Sequence, residues 1–159
     1  MSTIKIRRFR PGDEVSLFEV FYSAIHLIAL EDYNSEQIDA WAPADLDPQR
    51  WAIRMRKIRP FVAEEDRQIV GYADLQPNGY IDHFFVSGHH VRHGIGSLLM
   101  QHIHDEAQVL GIQTLSSDVS KNAQAFFEKH GFHVVEIKFP ISRGVKFQNA
   151  LMHKVLMHH

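Results

Sequence analysis

An apolar triplet, Phe84-Phe85-Val86, runs through Ser87-Gly88-His89-His90-Val91-Arg92-His93 into Gly94-Ile95-Gly96-Ser97, where a helical stripe begins. The first turn of a helix has unpaired N–H groups and a partial positive charge, so such a loop can hold a pyrophosphate without a basic surface around it. Glycines let the backbone come close to phosphate oxygens, and Arg92 can add a charge-assisted contact. The same residues also make a tight structural turn, and Gly-x-Gly after a strand does not by itself choose between the two. His89-His90-x-x-His93 has metal-cluster spacing, but no carboxylate accompanies it and Gly94 follows at once, so no metal is expected. Two other nucleotide motifs fail on spacing. The chain has no Gly-x-x-x-x-Gly-Lys-Ser/Thr, and a dinucleotide fingerprint would need a third glycine and an early βαβ setting.

The elements around this loop can be read from periodicity. Residues 4–9 alternate as a half-buried strand, and Pro11-Gly12-Asp13 ends it and opens a helix carrying Leu17, Phe18, Phe21, Ile25 and Ile28. A short helix over 37–41 is broken by Pro43, and Asp47-Pro48 caps another that carries Trp51, Ile53 and Met55. From Pro60 the period becomes two, which predicts three sequential antiparallel strands at 61–65, 68–75 and 80–86. The helix after Gly96 carries Leu98, Leu99, Ile103, Ala107 and Leu110 and stops at Gly111. A buried strand at 114–118, a helix at 120–130 stopped by Gly131, and closing strands at 132–139 and 145–156 complete a mixed α/β sheet.

Composition limits the partners. The chain has 159 residues without repeats or linkers, which predicts one domain over 1–159. Seventeen Lys and Arg against 19 Asp and Glu give a formal charge of -2, which argues against nucleic acid or an anionic membrane as partner. No run approaches the roughly 18 apolar residues of a membrane span, and the charged opening lacks a leader's apolar core, so a soluble, unprocessed, cytoplasmic chain is expected. Cysteine is absent, which removes disulfides, thiolate metal sites and a cysteine nucleophile. The 12 histidines invite a metal or proton-handling reading.

The loop at 84–97 resembles the acyl-CoA-binding motif of the GNAT superfamily of N-acetyltransferases, Gln/Arg-x-x-Gly-x-Gly/Ala after a strand ending apolar-apolar-Val. Downstream, Asn122-Ala123-Gln124-Ala125-Phe126-Phe127-Glu128-Lys129-His130-Gly131-Phe132 is similar to the Asn-Ala, Phe-Tyr-Glu-Lys and Gly-Phe run of many bacterial members. Asp39-Ala40-Trp41-Ala42-Pro43 and Arg143-Gly144-Val145 resemble a bacterial subgroup of small-molecule or peptide acetyltransferases. The resemblance implies an α/β (α+β) GNAT fold, with a mixed, mostly antiparallel, seven-stranded central sheet flanked by helices. It also implies that acetyl-CoA is the acyl donor. Strand 80–86 would splay from strand 114–118, with pantetheine in the gap beside Phe84, Phe85 and Val86. The pyrophosphate would lie on the amides of Val91, Arg92, His93, Gly94, Ile95, Gly96 and Ser97, and Ser120, Asn122 and Phe127 would face the cofactor from the other side. The implied reaction is direct transfer, without an acyl-enzyme, to a primary amine of a small molecule or peptide. Homodimers are common in the family.

Two residues depart from the family pattern. Val91 occupies the Gln/Arg position, so backbone amides would carry the phosphate clamp. Phe127 stands where many members have a tyrosine acid and cannot donate a proton, which leaves an acyl-CoA-binding sensor with little activity as the rival reading. If strand alternation places Asp82 and Tyr80 beside Phe84 and Val86, Asp82 is the candidate base, directly or through water. It would otherwise be a carboxylate bonded to a loop or an arginine. Tyr80 is a candidate acid or a packing aromatic. His83 has a base's intrinsic pKa but alternates to the opposite face with Ile81 and Phe85. In the family's acceptor region, His26, Tyr33 and Trp41 could line the amine pocket or simply pack, as could Trp51, while Asp45 and Asp47 could attract an amine or, for Asp47, cap a helix. His158-His159 reads as a solvated tail.

Overall fold

A computed structural model describes residues 3–156. Strand β1 (Ile4–Arg8) leads to helix α1 (Glu14–Ser23), which continues through a π turn (Ala24–Ile28) and a 3-10 turn (Ala29–Glu31). Helix α2 (Ser35–Trp41) opens with a capping box in which Asn34 and Gln37 each accept the other's backbone N–H. Helix α3 (Pro48–Ile58) starts as the sequence predicts, with the Asp47 carboxylate accepting the Gln49 amide and proline at the first position. Trp51 and Met55 of α3 are buried, but Ile53 is 62% exposed and lies outside the apolar stripe. Strands β2 (Phe61–Glu65), β3 (Gln68–Ala73), β4 (Tyr80–Ile81) and β5 (Phe84–Val86) follow. After helix α4 (Ile95–Leu110) come β6 (Thr114–Ser120), α5 (Gln124–Lys129) and β7 (His133–Lys138). A small hairpin, β8 (Ile141–Ser142) and β9 (Val145–Lys146), precedes β10 (Asn149–Val155).

The predicted seven-stranded sheet is replaced by two four-stranded sheets, β1-β2-β3-β5 and β4-β6-β10-β7, plus the separate β8-β9 pair. The cause is the predicted strand at 80–86, which is two strands. Tyr80 and Ile81 pair in parallel with Ser116 and Ser117 of β6, whereas Phe84 to Val86 pair antiparallel with Ala73 to Gly71 of β3. The chain therefore changes partners at Asp82-His83, and β5 and β6 diverge beyond it.

Two other boundaries move. Pairing of Ser120 with Asn149 extends β6, so the helix read at 120–130 begins later, after a 3-10 turn over Lys121–Ala123. The closing segments break around Pro140 and Phe147, whose N–H donates to the Pro140 carbonyl and starts the β8–β9 excursion. His158-His159 lies outside the described residues.

Helices cover the sheets from both sides. Leu99, Met100, Ile103 and Ala107 of α4 pack with Phe127, Leu115 and Met152, while Leu17, Phe21, Trp51 and Met55 of α1 and α3 pack on Val62 and Tyr72. Gly94 and Gly111 bound α4 in left-handed conformations, φ 77° and 70°, which glycine adopts without Cβ strain. Among the described residues, no helix is long and apolar enough to cross a membrane.

Candidate functional site

The partner change at Asp82-His83 leaves successive amides without a strand to bond. The buried Asp74 carboxylate, at the end of β3, takes both: Oδ1 accepts from Asp82 N at 2.8 Å and His83 N at 2.6 Å. Its Oδ2 accepts from Gln76 Nε2 at 2.6 Å. Burial raises the Asp74 pKa to about 6, against the lowering effect of these hydrogen bonds. This carboxylate holds the divergence open and has no local sequence signature.

The expected alternation fails across the break. Ile81 packs in the same core cluster as Phe84 and Val86, while Phe85 turns to the α1 side, and Asp82 and His83 both border the opening. That opening is a cavity of about 380 Å³ between the diverging strands, bounded by Phe84, Phe85, Ser117, Asp118 and Phe127. Tyr33, Trp41 and Phe147 form an aromatic wall at one end, with Tyr33 5.5 Å and 6.0 Å from the other two rings. Asn149 also borders the space, and its buried Oδ1 has no hydrogen-bond partner among the described residues.

The charged groups at the cavity are held by partners. Arg54 of α3 donates from Nη2 to Asp82 Oδ2, the arginine contact anticipated as Asp82's structural alternative. Tyr80 donates its hydroxyl to Asp118 Oδ2 at 2.6 Å, and Lys138 donates to Asp118 Oδ1 at 3.1 Å. Burial, then the adjacent Asp118 carboxylate, pushes the Tyr80 pKa well up, so its proton is firmly held. His83 Nδ1 lies 3.0 Å from the Tyr72 hydroxyl, and the ring sits among Phe21, Trp51, Tyr72 and Phe85. Burial lowers the His83 pKa to about 4, so the imidazole is neutral at physiological pH.

The remaining sequence candidates divide by location. Gly94 precedes α4 at the mouth of the loop, where a Cβ would meet no heavy atom within 4 Å, whereas one on Gly96 would come 3.1 Å from Phe126. Val91 is 45% exposed, Arg92 has φ 66°, Ile95 is buried beneath the turn, and Ser97 lies in the first turn of α4. His93 Nδ1 lies 3.1 Å from a Glu65 carboxylate oxygen, and His90 Nδ1 lies 3.0 Å from Ser87 Oγ. Among the described residues no three His, Asp or Glu side chains gather as a metal site.

Ser120 borders the cavity and donates to Asn122 Oδ1 at 2.8 Å. Phe127 is 2% exposed and packs on Phe84 and Phe132, so it is both cavity wall and core. Tyr33 donates to Gln148 O at 2.6 Å and accepts from Lys121 N at 2.9 Å, tying the α1–α2 segment to the cavity rim. His26 is not on the cavity wall. It stacks on Tyr22 at 3.8 Å and its Nε2 lies 2.7 Å from the Ala42 carbonyl oxygen. Trp51 donates to Glu14 O and packs on Phe21, also away from the cavity.

Sequence reasoning missed Asp74, Tyr72, Arg54, Asp118 and Asn149. Only Asp118 had a signal, as a carboxylate within a strand read as buried; β6 in fact alternates buried and half-buried residues, with Asp118 among the latter.

Known proteins resemble this chain in sequence and in overall fold. A family model described as "Acetyltransferase (GNAT) domain" matches residues 29–154. The chain is 33% identical over 152 residues to "Uncharacterized N-acetyltransferase YafP" of Escherichia coli (strain K12), covering 96% of both. It is similar in structure to a GCN5-related N-acetyltransferase from Rhodopseudomonas palustris, with TM-score 0.92, 29% identity and 98% of each chain covered. PaiA N-acetyltransferase from Thermoplasma acidophilum, solved with coenzyme A, shares the fold at TM-score 0.74 and 17% identity, over 97% of this chain and 99% of that one. The chain belongs to the GNAT acetyltransferase family, and it is an N-acetyltransferase.

Proposed function

We propose that this protein transfers an acetyl group from acetyl-CoA directly to a primary amine of a small molecule or peptide. The observation that carries this reading is the divergence of β5 from β6 at Asp82-His83, which opens a cavity between them. Pantetheine lies in that gap, along Phe84, Phe85 and Val86 on one side and Ser120, Asn122 and Phe127 on the other. The unpartnered Asn149 Oδ1 supports this fit, since a buried acceptor calls for an N–H donor such as a pantetheine amide. The pyrophosphate rests on the amides from Val91 to Ser97 at the positive end of α4.

The amine enters along the wall of Tyr33, Trp41 and Phe147, where aromatic faces favour a cationic group. Asp82 removes a proton from the ammonium, directly or through water, and the amine then attacks the thioester carbon. Arg54 holds the Asp82 carboxylate at the cavity edge while leaving its second oxygen without a side-chain partner among the described residues. Tyr80 is not free to act as acid while Asp118 holds its hydroxyl, and Phe127 has no proton to give. The coenzyme A thiolate therefore leaves with solvent as its proton source.

The buried Phe127 favours one rival, an acyl-CoA-binding sensor with little turnover. Free-thiol release over an amine panel, with an acetyl-CoA titration in parallel, separates the two readings. Acceptor-dependent thiol release is expected, and Asp82→Asn should lower kcat about 100-fold at neutral pH with little change in acetyl-CoA affinity. Tight binding without release by the wild type would leave the sensor, and unchanged turnover in Asp82→Asn would remove Asp82 as base.

A further inference from the structure

The tautomer of His83 is fixed by a group that can act in only one direction. The Tyr72 side chain is fully buried, and His83 Nδ1 at 3.0 Å is the only partner of its hydroxyl among the described residues. A buried hydroxyl whose proton has no acceptor carries a full desolvation cost, so Tyr72 donates and Nδ1 accepts. A neutral imidazole that accepts at Nδ1 carries its proton at Nε2. Nε2 has no protein partner among the described residues, and the ring forms part of the cavity wall beside Asp82 and Phe84.

The His83 backbone is equally constrained, with its N–H on Asp74 and its carbonyl accepting from Asp74 N at 3.1 Å. The cavity thus contains a neutral N–H donor, fixed in position and surrounded by the rings of Phe21, Trp51, Tyr72 and Phe85.

Such a group is unsuited to remove a proton from an ammonium, because the nitrogen that Tyr72 leaves open already carries one. It is suited to stabilise negative charge on an oxygen. We propose that His83 Nε2–H is the hydrogen-bond donor to the acyl carbonyl oxygen during transfer, and that Tyr72 is the positioning residue that keeps it a donor. This deepens the acetyl-transfer reading and rests on it.

As the amine lone pair forms the C–N bond, the carbonyl π pair moves onto oxygen, which accepts from Nε2–H without taking its proton. The C=O bond then re-forms, the C–S bond breaks with its electron pair on sulfur, and the nitrogen proton passes through Asp82 or water to solvent. The thiolate is protonated by solvent. His83 ends each turnover in the state in which it began. A donor already aligned in apolar surroundings needs no reorganisation as the charge develops.

The test combines a spectroscopic reading with kinetics. In full-length protein carrying ¹⁵N-labelled histidine, with the His83 signals assigned by their loss in His83→Gln, long-range ¹H–¹⁵N correlations report the tautomer without acetyl-CoA. The expected result is neutral imidazole protonated at Nε2, with Tyr72→Phe mixing the tautomers. In kinetics, His83→Ala should lower kcat about 100-fold with acetyl-CoA affinity nearly unchanged. His83→Gln, whose amide N–H can stand in for the donor, should recover part of that loss, and circular dichroism confirms that the variants are folded. Protonation at Nδ1, or a kcat within twofold of wild type in folded His83→Ala, overturns the assignment. Failure of the wild type to bind acetyl-CoA also overturns the acyl-oxygen role, but by removing the acetyl-transfer reading while the tautomer result stands.

Discussion

Gly94→Asp is expected to weaken acetyl-CoA binding about 100-fold while leaving the protein folded. Gly94 is the residue before α4, at φ 77°, and a Cβ there meets open space, so no packing is lost on substitution. Aspartate is tolerated in left-handed backbone better than most residues and is a good helix N-cap, which offsets part of the strain. The ligand meets the opposite effect. A carboxylate about 4 Å from a phosphate costs about 4 kcal/mol at an effective dielectric near 20, and salt reduces this further. About 2–3 kcal/mol of that penalty would raise Kd by about two orders of magnitude. Gly94→Ala, with the same backbone and no charge, should bind within several-fold of wild type. Calorimetric titration of the two variants therefore separates electrostatics from backbone strain, and equal binding by Gly94→Asp and wild type would take the pyrophosphate away from this helix start.

Asp74→Ala should cost about 3–5 kcal/mol of stability and lower Tm by about 10 °C. The change strands the amides of Asp82 and His83, each of which is worth about 1–3 kcal/mol when left buried and unpaired, and it also leaves a small cavity. Asp74→Asn should be milder, since one oxygen can still accept both amides, although its NH2 meets the donor on Gln76. The two variants also differ from wild type in pH response. The folded Asp74 pKa of about 6 lies above the ordinary carboxylate value, so the folded state binds this proton more readily than the unfolded chain. Its stabilising contribution is complete below about pH 4 and declines as pH rises through 6. Asp82 and His83 adjoin the group and are themselves charged or titratable, so the measurement is the difference between wild type and Asp74→Asn. That difference should grow by about 2–3 kcal/mol in favour of wild type as pH falls from 7 to 4, followed by chemical denaturation at each pH. A flat difference would show that Asp74 is not held against its ionisation.

The parts of this site that the sequence makes legible are those written in consecutive residues. The loop from Phe84 to Ser97 needs only an apolar strand, two glycines and a helical stripe, and the run from Asn122 to Phe132 is similarly local. The divergence itself is set by Asp74, which reaches the amides of Asp82 and His83 eight and nine residues away, and strand periodicity cannot see that interruption. A period-two reading through Asp82 places His83 with Phe85, as found, but also places Ile81 there, whereas Ile81 packs with Phe84 and Val86, because alternation assumes an unbroken strand. Arg54 and Tyr72 act from other elements, 28 and 11 residues away, and nothing beside them in the chain marks them as site residues. The histidine count was the weakest guide. His26, His90 and His93 bond to nearby backbone or side chains, whereas His83 borders the cavity with its ring bonded to a tyrosine that the sequence does not single out.

The arrangement as a whole turns on acetyl-CoA lying between β5 and β6 with its pyrophosphate at the start of α4. An amide ¹H–¹⁵N titration of the wild type with acetyl-CoA reads this directly. Saturable shifts should concentrate at residues 84–86, 91–97 and 120–127, on both sides of the opening, and should need about 100-fold more acetyl-CoA in Gly94→Asp. Shifts confined to other surfaces, or none at millimolar acetyl-CoA, would contradict that placement.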